Sequence, residues 1–162
     1  MRAPGGLACV AAGVLVVVAC QARPATFSAQ DEATLRGMFD ATPRYVRAGD
    51  WATWAGQYAE DGLLHPPNAL MVKGRPNLLA WGQAFPPIEG LTFYNVQVWG
   101  EGNLAYGTSA YALKVKGLAP DTGKQLVVFR RPAGGKWEVM AASFSSDLPL
   151  PGQSHSTTSA NK

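Results

Sequence analysis

Cysteine and histidine are scarce in this chain of 162 residues: Cys9 and Cys20, His65 and His155, are all there are. So few leave almost no room for a multi-ligand zinc site or a Cys/His catalytic site, and no metal is expected. Charge is also thin. Only 15% of residues are charged, 14 basic against 11 acidic, for a net +3. No run of Lys and Arg stands out, so nucleic acid is not an expected partner. Apart from the N-terminus there is no long apolar run, which excludes a polytopic membrane protein. Neither Gly-x-Gly-x-x-Gly nor Gly-x-x-x-x-Gly-Lys occurs, so phosphate loops are absent and no cofactor is expected. What is present is apolar content, 47% of the chain, enough for one domain with one packed core.

The N-terminus reads as an address. Arg2 gives a thin positive region, and Leu7 to Val18 is apolar apart from Gly13. The stretch is short for a bilayer span and has no basic stop-transfer flank. Val17-Val18-Ala19-Cys20 follows. This resembles the bacterial lipoprotein signal, in which small residues admit the peptidase and the Cys thiol is acylated. The resemblance implies a signal peptide over 1–19, lipidation at Cys20 and a membrane anchor without a transmembrane helix. With Gln21 rather than Asp after the Cys, it also implies, for a Gram-negative host, the periplasmic side of the outer membrane. An ordinary secretory signal with an incidental Cys is the alternative reading. Residues 20–27 then form the lipidated Cys and its tether. Residues 149–162, rich in Pro, Ser and Thr, read as a disordered tail.

All sixteen aromatic residues lie between Phe27 and Phe144, which marks 28–148 as the folded domain. Ser28 with Asp31 is an expected helix cap, and Leu35, Met38, Phe39, Thr42, Tyr45 and Val46 recur at helical spacing. Pro43 is expected to kink that helix. Gly49 ends it, Asp50 caps a second helix, and Trp51, Trp54, Ala55 and Tyr58 share a face there. Two short extended pieces flank Pro66-Pro67-Asn68, and Gly74-Arg75-Pro76 opens a third helix. After residue 90 four strands are expected, at 91–99, 104–116, 125–131 and 136–145, separated by turns that include Pro120 to Gly123. The class is α+β, with helices laid on one face of a curved sheet.

This order of elements, with particular residues, resembles the SnoaL-like, nuclear-transport-factor-2-like superfamily. The pieces are Ala48-Gly49-Asp50 with Trp54; Tyr58-Ala59-Glu60-Asp61-Gly62, Pro66-Pro67-Asn68 and Lys73-Gly74-Arg75; Ala105-Tyr106-Gly107 leading to Tyr111; and Phe129-Arg130-Arg131, Gly135-Lys136-Trp137 and Ser146-Asp147-Leu148-Pro149. The closing Ser-Asp-Leu-Pro is similar to an often secreted branch. The resemblance implies a cone-shaped sheet, mixed but mainly antiparallel, with three N-terminal helices on its concave side. It also implies a conical pocket and, often, homodimers paired through the sheet face. Activity does not follow from fold, since the superfamily holds isomerases, cyclases, dehydratases and non-catalytic adaptors.

Residue by residue, the steroid-isomerase pattern does not carry over. Its base position falls on Pro66, or on His65 with a one-residue slip. Its helix-one phenol falls near Thr42, with Tyr45 one turn on, and Gln125 to Phe129 contains no acid. His65, Tyr58 and Tyr45 remain the acid–base candidates, His65 being the one side chain in the domain that titrates near neutrality. A strand-edge His is the plainer reading. Asp61 is expected to satisfy backbone N–H groups in a tight turn. The basic residues Lys114, Lys116, Lys124, Arg130 and Arg131 read as a solvated sheet face or an anionic contact. Trp54, Tyr58, Asn68, Trp81, Phe85, Tyr106, Thr108, Phe129 and Phe144 are the expected pocket residues, for a small apolar ligand with one or two polar groups. The aromatic ones would serve equally as plain core. The expected roles are a binding module at the cell envelope, a cofactor-independent isomerase, dehydratase or cyclase, or a dimeric interaction module.

Overall fold

The computed structural model describes residues 26–149. Cys20, the leader, most of the tether and nearly all of the tail lie outside the described residues. Helix α1 (Ala29–Ala48) begins at a reciprocal cap. The Ser28 hydroxyl accepts from the Asp31 N–H at 3.2 Å, and the Asp31 carboxylate accepts from the Ser28 N–H at 2.9 Å. The helix runs unbroken through Pro43 and stops at Gly49, whose φ of 69° an L side chain resists. Asp50 then caps α2 (Trp51–Gly56), its carboxylate accepting from the Thr53 N–H at 3.0 Å.

Strand β1 (Tyr58–His65) follows, so Tyr58 opens a strand and does not extend the second helix. The short β2 (Val72–Lys73) pairs back on it, and α3 (Arg75–Gln83) starts with Pro at its first turn. Four long strands complete the chain: β3 (Ile88–Glu101), β4 (Leu104–Val115), β5 (Asp121–Arg130) and β6 (Glu138–Ser146). The expected turn at Pro120 to Gly123 is displaced, because Asp121, Thr122 and Gly123 pair with Leu113, Ala112 and Tyr111. Pairing to a neighbouring strand outweighs the local turn preference there.

The six strands lie in the order β2-β1-β6-β5-β4-β3. All neighbours are antiparallel except β1 and β6, which run parallel. This is the mixed, curved sheet of an α+β domain. The long edge strand β3 bends between Tyr94 and Gln97, where the register slips and Asn95 has φ 55°. The bend wraps the sheet around the helices. Helix α1 packs on the concave face along β3, and its Phe39 ring reaches across to β4 because Gly107 has no side chain. A Cβ there would stand 2.7 Å from the Phe39 ring. Phe39, Leu35, Leu78 and Phe129 form the centre of the core, and Phe39 meets Phe93 and Phe129 edge-on at 6.0 Å.

The start of α1 is tied to the far end of the sheet. Asp31 is buried, accepts from the Trp137 indole N–H at 2.8 Å, and pairs with Arg131 at 2.5 Å. The Arg131 guanidinium lies 4.8 Å over the Trp137 ring, and Phe27 meets that ring edge-on. The Trp137 hydrogen bond, those from Ser28 and the Arg131 charge outweigh the opposing effect of burial. Together they lower the Asp31 carboxyl from 3.8 to about 2. A lowered carboxylate stabilises the fold above its unfolded pKa, and that contribution is lost as pH falls from about 5 towards 2. Asp31→Ala, which orphans the indole N–H and the guanidinium, is expected to cost about 2–4 kcal/mol in urea melts. Asp31→Asn should flatten the acid limb of stability against pH, and a wild-type-like acid limb in that variant would contradict the account.

Candidate functional site

A cavity of about 140 Å³ lies between the helices and the concave face of the sheet. Successive turns of α1 contribute Met38, Phe39, Thr42 and Val46. From α2 and α3 come Trp51, Trp54 and Trp81, with Phe85 just beyond. The sheet supplies alternate residues: Tyr111 and Leu113 from β4, Gln125, Val127 and Phe129 from β5, and Ala142 and Phe144 from β6. Tyr58 and Leu64 of β1, and Ile88, Leu91 and Phe93 of β3, close the sides.

The aromatic residues form a continuous wall. Trp51 packs edge-on against Trp54 at 5.5 Å and Trp54 edge-on against Tyr58 at 5.1 Å, while Trp81 lies tilted against Trp54 at 6.0 Å and against Phe85 at 5.1 Å. This wall rests on a close approach of α2 and α3, since a Cβ on Gly82 would stand 2.5 Å from the Trp51 ring.

Tyr58 is fixed from behind. Arg75, at the start of α3, donates to its backbone carbonyl twice, from Nε at 3.0 Å and from Nη2 at 2.6 Å. Its phenol makes no hydrogen bond to any described residue, and burial alone pushes its pKa above the usual 10. It is therefore a neutral hydroxyl facing the cavity. Tyr111 is different. Its hydroxyl donates to Asp121 Oδ2 at 3.1 Å, and the Ser146 hydroxyl donates to Asp121 Oδ1 at 2.7 Å. Burial first, and then the Asp121 charge, raise the Tyr111 pKa. The other polar groups on the wall are amides and one hydroxyl. Gln125 Nε2 donates to Ser109 Oγ at 2.9 Å, and Thr42 Oγ1 lies 3.0 Å from Gln57 Oε1. No carboxylate, ammonium, guanidinium or imidazole is on the wall among the described residues. The arrangement can bury an apolar body and offer it neutral hydrogen bonds.

Six of the nine residues expected in a pocket come together on this wall: Trp54, Tyr58, Trp81, Phe85, Phe129 and Phe144. The other three do not. Asn68 is exposed in the turn after β1, in the left-handed region at φ 54°. Tyr106 and Thr108 are on the outer face of the sheet, Tyr106 stacked on Trp99 at 5.0 Å. Alternation along β4 is as the sequence indicates, but the opposite set of residues, with Gly107, Ser109 and Tyr111, faces the helices. His65 is exposed at the end of β1, since Leu64 takes the inward position. Tyr45 packs half-buried at the core margin, off the wall. His65 and a phenol therefore do not converge on one ligand position, which removes the acid–base set read from the sequence. Asp61 likewise bonds to Arg130 of β5, at 2.5 Å, which lowers its carboxyl pKa. Met38, Thr42, Gln57, Tyr111 and Gln125 are wall residues that sequence reasoning missed. The period was a signal for Gln125, which alternates with Val127 and Phe129.

No protein-family model matches the chain, and no curated protein matches it by sequence. Solved structures do match. A nuclear-transport-factor-2-like protein from Pseudomonas putida is 21% identical, with a TM-score of 0.66 over 76% of this chain and 91% of the other. A ketosteroid isomerase-like protein from Erwinia carotovora is 18% identical, with a TM-score of 0.64 over 75% and 100%. A putative scytalone dehydratase from Novosphingobium aromaticivorans is 11% identical, with a TM-score of 0.61 over 74% and 85%. The six-stranded mixed sheet with its three N-terminal helices is thus the cone of the nuclear-transport-factor-2-like, cystatin-like fold.

Proposed function

We propose that this protein is a cell-envelope binding module that holds a small apolar molecule in its cone. The observation that carries this reading is the wall itself, with many aromatic and aliphatic surfaces, a few neutral hydrogen-bonding groups and no ionised one. Burial of apolar surface supplies the affinity, and the hydroxyl and amides fix orientation. The Val17-Val18-Ala19-Cys20 sequence supports attachment through acylated Cys20, which would hold the domain at a membrane by its N-terminal tether. Neither a metal nor a cofactor enters this reading.

A second reading concerns copies of the chain. Tyr94, Trp99, Leu104, Tyr106 and Leu126 are large apolar residues left 43–56% exposed, on strands of the outer sheet. Apolar exposure of that kind supports pairing of two copies through this face.

Three measurements test these readings. The neutral reporter N-phenyl-1-naphthylamine should bind with enhanced fluorescence, and Ala142→Phe, which fills the cavity, should weaken it about tenfold or more. Unchanged binding in a folded Ala142→Phe variant would place the reporter elsewhere and remove the cavity reading. Cys20→Ser should release the protein from the membrane fraction and change its electrophoretic mobility; if neither changes, the anchor reading fails. Light scattering should give a dimer that Tyr106→Glu with Leu126→Glu converts to a monomer. A wild-type monomer at high concentration would end the pairing reading.

A further inference from the structure

Two of the polar side chains on the wall, Tyr58 and Gln125, stand at different levels of the sheet, and this specifies the occupant beyond its being apolar. Tyr58 pairs with Val139, and Val139 with Phe129, so the Tyr58 backbone marks one level of the sheet. Gln125 is four residues further along β5, opposite Phe144. At the rise of an extended strand this separates the two levels by about 13 Å. On β5 the wall is Phe129 at the first level and Val127 between the two, with no polar side chain before Gln125. At the first level the Tyr58 hydroxyl has no partner among the described residues. At the second, Gln125 uses one N–H on Ser109 and keeps its carbonyl and a second N–H.

Charge is the other constraint. Asp121, the carboxylate bonded to the wall residue Tyr111, already accepts from Tyr111 and Ser146. No cation on the wall, among the described residues, offsets the cost of burying an ionised group. We infer that the cavity takes a neutral, elongated apolar molecule with a hydrogen-bonding group at each end, one meeting Tyr58 and the other Gln125. An ionised amphiphile such as a carboxylate is excluded by the same wall. This rests on the ligand-cavity reading above and names the ligand class for it.

Calorimetry on the full chain, with three rigid probes of one shape, tests the inference at near-neutral pH. The expected order of affinity is 4,4′-dihydroxybiphenyl, then 4-hydroxybiphenyl about fivefold weaker, then biphenyl-4-carboxylate at least about tenfold weaker again. Gln125→Leu should erase the advantage of the dihydroxy probe over 4-hydroxybiphenyl. It should leave 4-hydroxybiphenyl itself within about twofold of wild type. Should Gln125→Leu fail to fold, Gln125→Asn, whose amide is one methylene shorter, gives the same comparison. Equal affinity for the carboxylate, or no gain from the second hydroxyl, would overturn the two-ended neutral ligand and leave the apolar-cavity reading standing. If none of the probes binds, and the naphthylamine reporter does not bind either, both readings fall together.

Discussion

Phe39 lies on the bare backbone of Gly107, and the cavity's geometry follows from that contact. The missing Cβ lets the Phe39 ring settle on the β4 backbone, where a side chain at position 107 would collide with it. From there Phe39 reaches Phe93 on the edge strand and Phe129 at the centre of the sheet. Neighbouring turns of the same helix then put Met38, Thr42 and Val46 on the cavity wall. The bend of β3 at Asn95 brings the outermost strand around the other side. A flat sheet under the same helix would leave a slot open along one edge.

Much of the fold was legible because it rests on local rules. The cap at Ser28, the stop at Gly49, the second cap at Asp50 and the Pro-led start of α3 are each set by a few adjacent residues. Their geometry does not depend on distant parts of the chain. Where a distant partner decides, the sequence was silent. Tyr58 has the spacing to continue α2, yet it opens a strand because Arg75 and Val139 hold its backbone. Asp121 to Gly123 have turn chemistry, yet two neighbouring strands recruit them.

The cavity shows the same division more sharply. Alternation along β4 separates Tyr106 and Thr108 from Gly107, Ser109 and Tyr111, but alternation does not say which set meets the helices. The small residues were the usable sign. A helix approaches where side chains are small, so Gly107 marks the inner face, and the large exposed Tyr106 belongs outside. His65 takes the plainer of its two readings, a strand-end side chain outside the cavity. Its neighbour Leu64 takes the inward position, and in a strand the next residue must then face away. Among the described residues the wall carries no ionised side chain, and Asp121, which accepts from the wall residue Tyr111 and from Ser146, is not itself part of it.

The parallel pair of β1 and β6 has a consequence for how the chain is assembled. Tyr58 meets Val139, and Asp31 meets Trp137, across separations of eighty to more than a hundred residues. A chain delivered from its N-terminus presents all three helices and most of the aromatic wall before the strand that covers them exists. Until β6 arrives, β1 has only the two-residue β2 beside it, and the indole that anchors α1 has not been made. Closure of the cone therefore waits for the last strand of the sheet. Truncation by even one strand at the C-terminal side would leave the wall open to chaperones and to neighbouring chains.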